Sequence, residues 1–325
     1  MAAKSWREWE KPLIELEEGI QKLKSIWLLE KDPVKKAELG RSIEEYEARR
    51  DNYINVMYSR LGPWEKVLVA RADKRPYTLD YVASIFSEFT ELEGDRRFGA
   101  DHAIVGGPAI LDGQGVMLLG HQKGRNIQER QFRNFGMAKP EGYRKAIRLM
   151  DMADRFKLPV ICFVDTPAAD PGVESESRGI SEAIAAAMYK MFELSVPTIS
   201  VVIGEGGSGG AIGIATSNTV LMLEHSVYSV IPPEGCAAIL WRSPDKAPEA
   251  AAALRLTAKS ALELGLIDEI LLEPKGGAHR DPLEVAATVK AAIVRSLCEQ
   301  QQMSGSELKK ARYDKFRAMG IYDRG

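Results

Sequence analysis

Apolar residues recur every three or four positions at Leu13, Leu16, Ile20, Leu23 and Trp27, with charges between them, which predicts an amphipathic helix. Asp32-Pro33 interrupts the pattern, and a second helix follows with Ile43, Tyr46, Tyr53 and Met57 on one face, ending at Gly62-Pro63. Two such helices joined by a short turn form a hairpin that must bury its stripe, against its own domain or against a partner. Thr78 to Leu92 predicts a further amphipathic helix through Tyr81, Ile85, Phe86 and Phe89. The period then changes: Ala103–Leu111 and Val116–His121 predict two strands about the turn Asp112-Gly113-Gln114-Gly115.

Beyond this point strands and helices alternate. Tyr143–Phe156 and Ser181–Glu193 predict helices, and Val160–Val164 predicts a buried strand. The β-branched run Ile199, Val201, Val202, Ile203 predicts another buried strand, which leads into a glycine-rich stretch and an Ala/Ile/Gly-rich helix. Val220–Leu223, Val227–Ile231 and Leu266–Leu271 predict strands; Cys236–Trp241, Ala247–Leu256, Lys259–Leu264 and Pro282–Glu299 predict helices, with Gly265 as a C-cap. From Ser304 the chain is polar and basic. The alternation predicts a layered α/β domain over residues 63–300, preceded by a helical hairpin arm over 1–62 and followed by a polar tail over 301–325.

Composition narrows the functional classes. At 325 residues the chain can bury a large core. Lys plus Arg number 44 and Asp plus Glu 46, and a net charge of −2 gives no footprint for nucleic acid or an anionic membrane. Cys162, Cys236 and Cys298 are too far apart for a metal-ligand motif, so no metal is expected in this chain; each is expected to pack as a small apolar residue in a reducing compartment. The start is charged throughout, with no apolar signal core, and no charge-free run is long enough to span a bilayer. The expectation is a cytoplasmic protein.

The chemistry concentrates in Gly204-Glu205-Gly206-Gly207-Ser208-Gly209-Gly210, five glycines in seven residues. A strand that runs into bare backbone and then a helix start aims several N–H groups at one place, which favours negative charge. Gly204-x-Gly206-x-x-Gly209 fits a dinucleotide fingerprint with Glu224 twenty residues on, but the stretch before Val220 is short for the crossover. Gly206-x-Ser208-x-Gly210 fits a nucleophile elbow, for which His225 or His279 would be the base of a serine hydrolase. A P-loop is excluded because no Lys follows the glycines. An oxyanion hole formed by the Gly206 and Gly207 amides needs no acid or base in the loop, and the loop offers only Glu205 and Ser208 as functional side chains. A tight strand-to-helix turn without chemistry is the remaining reading.

Three more loops lie at strand or helix ends: the cationic His121-Gln122-Lys123-Gly124-Arg125, the proline-stiffened Asp165 to Gly172, and Pro232-Pro233-Glu234-Gly235. Other distinctive blocks are Glu10-Lys11-Pro12, Arg75-Pro76-Tyr77-Thr78, Gly94-Asp95-Arg96, Asn134-Phe135-Gly136-Met137, Pro140-Glu141-Gly142-Tyr143 and Gly276-Gly277-Ala278-His279-Arg280. Together, over nearly the whole chain, these blocks resemble the alpha subunit family of the bacterial acetyl-CoA carboxylase carboxyltransferase.

The resemblance implies a crotonase-like (ClpP/crotonase) α/β fold of repeated ββα units. It implies transfer of a carboxyl group from carboxybiotin, held on a separate biotin carboxyl carrier protein, to acetyl-CoA, giving malonyl-CoA for fatty acid biosynthesis. It also implies an alpha2beta2 assembly with a zinc-bearing beta subunit, and a separate biotin carboxylase that uses ATP. On the family pattern, the Gly206 and Gly207 amides hold the biotin ureido oxygen, and His121, Lys123, Ser208, Gly209, Pro233, Glu234 and Gly235 line the carboxybiotin side. The helix from Gly209 adds its positive end. The chain departs from the pattern at Ala168, where the family usually has glycine, at Asp170, where it has tyrosine, and at Pro232, where serine is common. Ala168 would be strained if that glycine has a positive φ. Asp170 removes an aromatic wall and bears on acyl-CoA preference; a carboxyltransferase for another acyl-CoA is the alternative.

Overall fold

The computed structural model describes residues 6–320; the first and last five, which belong to the charged start and the tail, lie outside the described residues. The hairpin arm is formed by α1 (Trp6–Leu29) and α2 (Pro33–Tyr58), with Asp32 capping the Val34 amide at 2.9 Å. Leu13 and Ile20 of the predicted stripe are buried. On α2 the buried pair is Ile43 and Ile54, eleven residues and so three turns apart, whereas Tyr46 and Tyr53 are exposed, unlike the face predicted for them. The arm is pinned to the body at Glu10, which is buried and accepts from Tyr58 Oη at 2.6 Å and Arg280 Nη2 at 2.5 Å.

Two short helices follow, α3 (Pro63–Ala70) and α4 (Thr78–Ile85). The helix predicted to reach Leu92 stops at Phe86, whose φ of −114° and ψ of 160° are extended. From there the chain runs beside β1 (Ile104–Leu111), through Ser87 to Ile110, Thr90 to Pro108 and Leu92 to Gly106, so its apolar residues follow a strand-like edge. β1 pairs antiparallel with β2 (Gln114–His121) across Asp112-Gly113, whose φ values of 47° and 84° make the tight two-residue turn.

The remaining body is α5 (Ile127–Phe132), α6 (Pro140–Phe156), β3 (Val160–Thr166), α7 (Val173–Ser177), α8 (Ile180–Glu193), β4 (Thr198–Gly207), α9 (Ser208–Ile212), β5 (Thr219–Leu223) and β6 (Val227–Ser229). It ends with α10 (Pro233–Trp241), α11 (Ala247–Ala253), α12 (Ala258–Glu263), β7 (Glu269–Leu271), α13 (Pro282–Gln300) and α14 (Gly305–Arg317). The sheet order is β1-β2-β3-β4-β5-β7, parallel from β2 onward, and β6 pairs with the far end of β4.

Both faces of the sheet are covered, which is why its strands read as continuous apolar runs. Cys162 and Val164 of β3 and Val202 of β4 pack on one face with α6 and α8; Ile161 and Phe163, with Val201 and Ile203, pack on the other with α4 and α13. Among the described residues no helix is long and apolar enough to cross a membrane. The polar, basic stretch from Ser304 is helical: Ser304 caps α14, and the fully buried Arg312 donates to the carbonyls of Met191 and Leu194 and to Asn218 Oδ1. One expectation changes. Cys298 is exposed on α13, while Cys162 and Cys236 are buried.

Candidate active site

The site is built on a register change. β3 and β4 pair from Val160/Thr198 to Val164/Val202, but the next pair is Thr166/Gly206, so two steps along β3 match four along β4. The excess bows Ile203 to Glu205 out of the ladder. Backbone groups released in this way must find other partners when buried. Asp165 Oδ1 accepts the Glu205 N–H at 2.9 Å, and the fully buried Arg75 donates Nε to the Ile203 carbonyl at 2.7 Å. The Asp165 carboxylate occupies the space beside Gly204, where a Cβ would lie 2.4 Å from Oδ1.

An alternating ion-pair chain grows from this anchor. Lys123, just past β2, places Nζ 2.7 Å from Asp165 Oδ1 and 3.0 Å from Glu205 Oε2. Arg71, just past α3, donates Nε to Glu205 Oε1 at 2.6 Å and reaches Glu234, at the start of α10, with its other two nitrogens. Burial alone would raise the Glu205 pKa; the Lys123 and Arg71 charges, with their hydrogen bonds, outweigh it and pull it down to about 2. Burial acts on Lys123 in the opposite sense and is likewise outweighed, by Asp165 and Glu205, so its pKa is raised.

β4 continues through Gly206 and Gly207, which pair with Tyr228 and Ser229 of β6. The bare backbone was expected to lie open to a ligand, but the chain itself covers much of it. A Cβ on Gly207 would sit 1.9 Å from the Pro167 carbonyl oxygen, and one on Gly210 would sit 2.6 Å from the Ala168 carbonyl carbon. The predicted helix after the glycines is a single turn, α9, too short to supply the dipole expected of a helix from Gly209 or the crossover of a dinucleotide fold.

Ser208 has a φ of 53°, a left-handed conformation fitting a sharp strand-to-helix elbow. Its proposed bases are engaged elsewhere. The His225 ring lies against Tyr58, at 5.9 Å between centroids, and His279 lies 3.6 Å from Glu10 beneath the arm. No Ser–His pair with Ser208 forms among the described residues.

Beside the ion-pair chain is a cavity of about 210 Å³, lined by Arg71, Lys123, Arg130, Phe135, Pro167 and Glu205 among others. Gly206 and Gly207 adjoin it through Glu205 and Pro167 rather than lining it, and Glu234 is one ion pair away, through Arg71. Pro233 and Gly235 open α10 behind Glu234, and Ser208 and Gly209 begin α9.

The strand-end cationic cluster divides. Lys123 faces the cavity, while Arg125 stacks over Tyr77 at 4.0 Å and pairs with Asp80. His121 is fully buried against the backbone of Phe163 and Gly210, where burial, reinforced by the charge on Lys123, lowers its pKa to about 3. It is therefore a neutral support beneath the loop and not a cavity residue.

The departures in the 165–172 loop are accommodated. Ala168 is absent from the positions with positive φ, so the strain foreseen for it does not arise; Thr166 Oγ1 donates to its carbonyl at 2.6 Å. Asp170 is half-buried and accepts from Ser175 Oγ and, at 3.1 Å, from Asn134 Nδ2. Arg71, Arg130 and Phe135 went unread as site residues. Arg71 lies in a helix end without a motif, and Phe135 was visible only as part of Asn134-Phe135-Gly136-Met137.

Comparison with known proteins agrees with this architecture. Residues 6–320 match the family model described as acetyl co-enzyme A carboxylase carboxyltransferase-like. The chain is 52% identical to the acetyl-coenzyme A carboxylase carboxyl transferase subunit alpha of Geobacter metallireducens over 322 residues, 99% of each chain. It is 51% identical to that of Bordetella avium, over 97% of each. Among solved structures, transcarboxylase 12S with methylmalonyl-coenzyme A bound superposes with a TM-score of 0.57 at 20% identity, covering 72% of this chain and 44% of that one. That likeness shows the fold, the crotonase-like one of carboxyltransferases.

Proposed function

Since the chain belongs to the family of acetyl-CoA carboxylase carboxyltransferase alpha subunits, we propose that the site around Glu205 is the face that receives carboxybiotin from a carrier protein, while a beta subunit presents acetyl-CoA. The reaction is the family's: biotin-dependent transfer of a carboxyl group to acetyl-CoA, forming malonyl-CoA. One observation carries the assignment of the site. Gly206 and Gly207 end a strand whose bulge is locked by Asp165 and Arg75, immediately after a residue that walls the cavity.

Carboxybiotin, when bound, supplies the carboxyl group and, once that group has left, the base. The protein's contribution is then mainly electrostatic. The Gly206 and Gly207 N–H groups, held on a backbone that need not reorganise, stabilise the ureido oxygen as it gains charge; one such donor typically lowers the barrier by ~3 kcal/mol. Lys123 has three N–H donors, of which Asp165 and Glu205 take two, and the third is available to an anionic carboxyl group. The size of the cavity supports a compact head group: about 210 Å³ is below the ~300–1,000 Å³ of pockets that enclose whole cofactors.

In this reading the assembly is alpha2beta2, the zinc belongs to the beta subunit, and ATP is used by a separate biotin carboxylase. The test is malonyl-CoA-dependent carboxylation of free biotin, the reverse half-reaction, with this chain alone and with a zinc-ribbon beta partner. Activity is expected only in the mixture. Silence in a mixture that demonstrably assembles would overturn the reading.

A further inference from the structure

Asn134, Phe135 and Gly136 have φ values of 43°, 55° and 80°, three consecutive left-handed residues of which two are not glycine. Such a run is disfavoured and persists only where its surroundings dictate it. Here the surroundings do so from two sides. Asn134 Nδ2 donates to the Met137 carbonyl at 2.7 Å and to Asp170 Oδ1 at 3.1 Å. Gly136 lies flush against the stem of Lys123, where a Cβ would sit 2.8 Å from Cγ.

The product of this turn is the placement of one side chain. Phe135 remains 44% exposed although it is a large apolar residue, and it lines the same cavity as Lys123, Pro167 and Glu205. Arg71, Lys123 and Glu205 of the wall are already paired with one another, and of its two aromatic residues Tyr77 is buried beneath Arg125, at 4.0 Å, so Phe135 is the ring left exposed beside the ion-pair chain. An aromatic face held at the mouth of a small cavity suits a compact ring system with an apolar edge.

We propose that Phe135 is a substrate-contact residue, the apolar wall for the fused ring of carboxybiotin, and that Asp170 is a positioning residue that fixes the turn presenting it. The proposal rests on the reading that this cavity takes carboxybiotin. Asp170 acts by tying the turn to α7, since its carboxylate accepts from both Asn134 and Ser175.

The experiment uses the complex reconstituted with the beta partner and the reverse half-reaction, with free biotin and malonyl-CoA varied separately. Phe135→Ala is expected to raise KM for biotin about tenfold, the order expected for losing one aromatic contact, with KM for malonyl-CoA within about twofold of the parent. Phe135→Tyr should restore the parent value. Asp170→Ala should raise the same KM by a smaller factor, and Asp170→Asn, which keeps an acceptor for Asn134, should recover it. An unchanged KM for biotin in Phe135→Ala, or equal rises in both KM values, overturns the proposal. The parent complex separates this from the underlying reading: silence of the reverse half-reaction in the assembled parent defeats that reading itself, whereas parental activity beside a normal Phe135→Ala defeats only the role of Phe135. Phe135→Leu, assayed in parallel, serves if the alanine variant fails to assemble.

Discussion

Asp165 Oδ1 accepts the N–H of Glu205 at 2.9 Å while lying 2.7 Å from Lys123 Nζ, so one carboxylate both closes the bulge in β4 and anchors the charge chain beside it. The two roles can be separated. Asp165→Asn keeps an acceptor for the amide and loses the charge; Asp165→Ala loses both. Removing one partner of a buried pair costs ~3–5 kcal/mol, so the alanine variant is expected to lose stability on that scale in urea unfolding and to lose transfer. The asparagine variant should retain most of its stability. Equal stability losses in the two would show that the amide hydrogen bond contributes little.

Gly207 and Gly209 are expected to differ sharply although they stand two residues apart. A Cβ on Gly207 meets backbone, 1.9 Å from the Pro167 carbonyl oxygen, whereas one on Gly209 meets the far end of the Ile184 side chain at 3.3 Å. Gly207→Ala should therefore cost ~1–3 kcal/mol by overpacking. It should also lower transfer by about 10²–10³-fold, the usual effect of spoiling one oxyanion donor. Gly209→Ala should stay within about 1 kcal/mol of the parent. Thermal unfolding and the reverse half-reaction measure both; a Gly207→Ala enzyme with parental turnover would remove the oxyanion role from this backbone.

What the sequence could express here depended on whether the cause was local. The alternation of strands and helices, the β3 and β4 runs and the glycine stretch were legible because burial on two sheet faces demands continuous apolar residues. The end of α4 was not legible: Phe86 and Phe89 continue a helical spacing, and only pairing with β1 makes the chain extended there. The glycines were misread in one respect for the same reason. The bare backbone was read as aiming its N–H groups at a ligand, but the group that approaches Gly207 is the Pro167 carbonyl, brought there by the tertiary fold. Arg71 could not have been found from spacing, since 134 residues separate it from Glu205, and α14 hid its purpose because it buries a single apolar residue, Leu308, beside the charged Arg312.

Arg75 and Glu273 form a pair buried on both sides, with guanidinium nitrogens 2.7 Å from each carboxylate oxygen. Arg75 also holds the Ile203 carbonyl, and Glu273 accepts the amides of His225 and Ala278, so this pair supports the back of the bulge. Arg75→Met should destabilise by ~3–5 kcal/mol because it strands a buried carboxylate. The double variant Arg75→Met/Glu273→Gln should recover part of that loss, because the amide acceptor survives and the stranded charge does not. A double-mutant cycle in urea gives the coupling directly, and additive losses would show that the two charges do not interact.

His121 offers a test by pH. The ring is fully buried, neither nitrogen has a hydrogen-bond partner of good geometry, and its pKa is lowered to about 3 by burial and then by the charge on Lys123. In the unfolded chain a histidine titrates near ~6.5. Between these values the unfolded state binds a proton that the folded state refuses, so stability from this group is fully present above the unfolded pKa and falls as pH drops toward about 3. From pH ~7 to ~5 the loss amounts to about 2 kcal/mol. His225, also lowered in pKa, contributes in the same sense, so the difference between parent and variant is the quantity to read. His121→Gln should flatten the dependence of unfolding free energy on pH by about 2 kcal/mol over that interval. Glu205, with its pKa near 2, and Lys123, raised above its ordinary value, keep their charges throughout it, so the ion-pair chain cannot mimic the effect. Parallel curves for parent and His121→Gln would mean that the ring takes up its proton in the folded state, and the neutral support beneath the glycine loop would have to be abandoned.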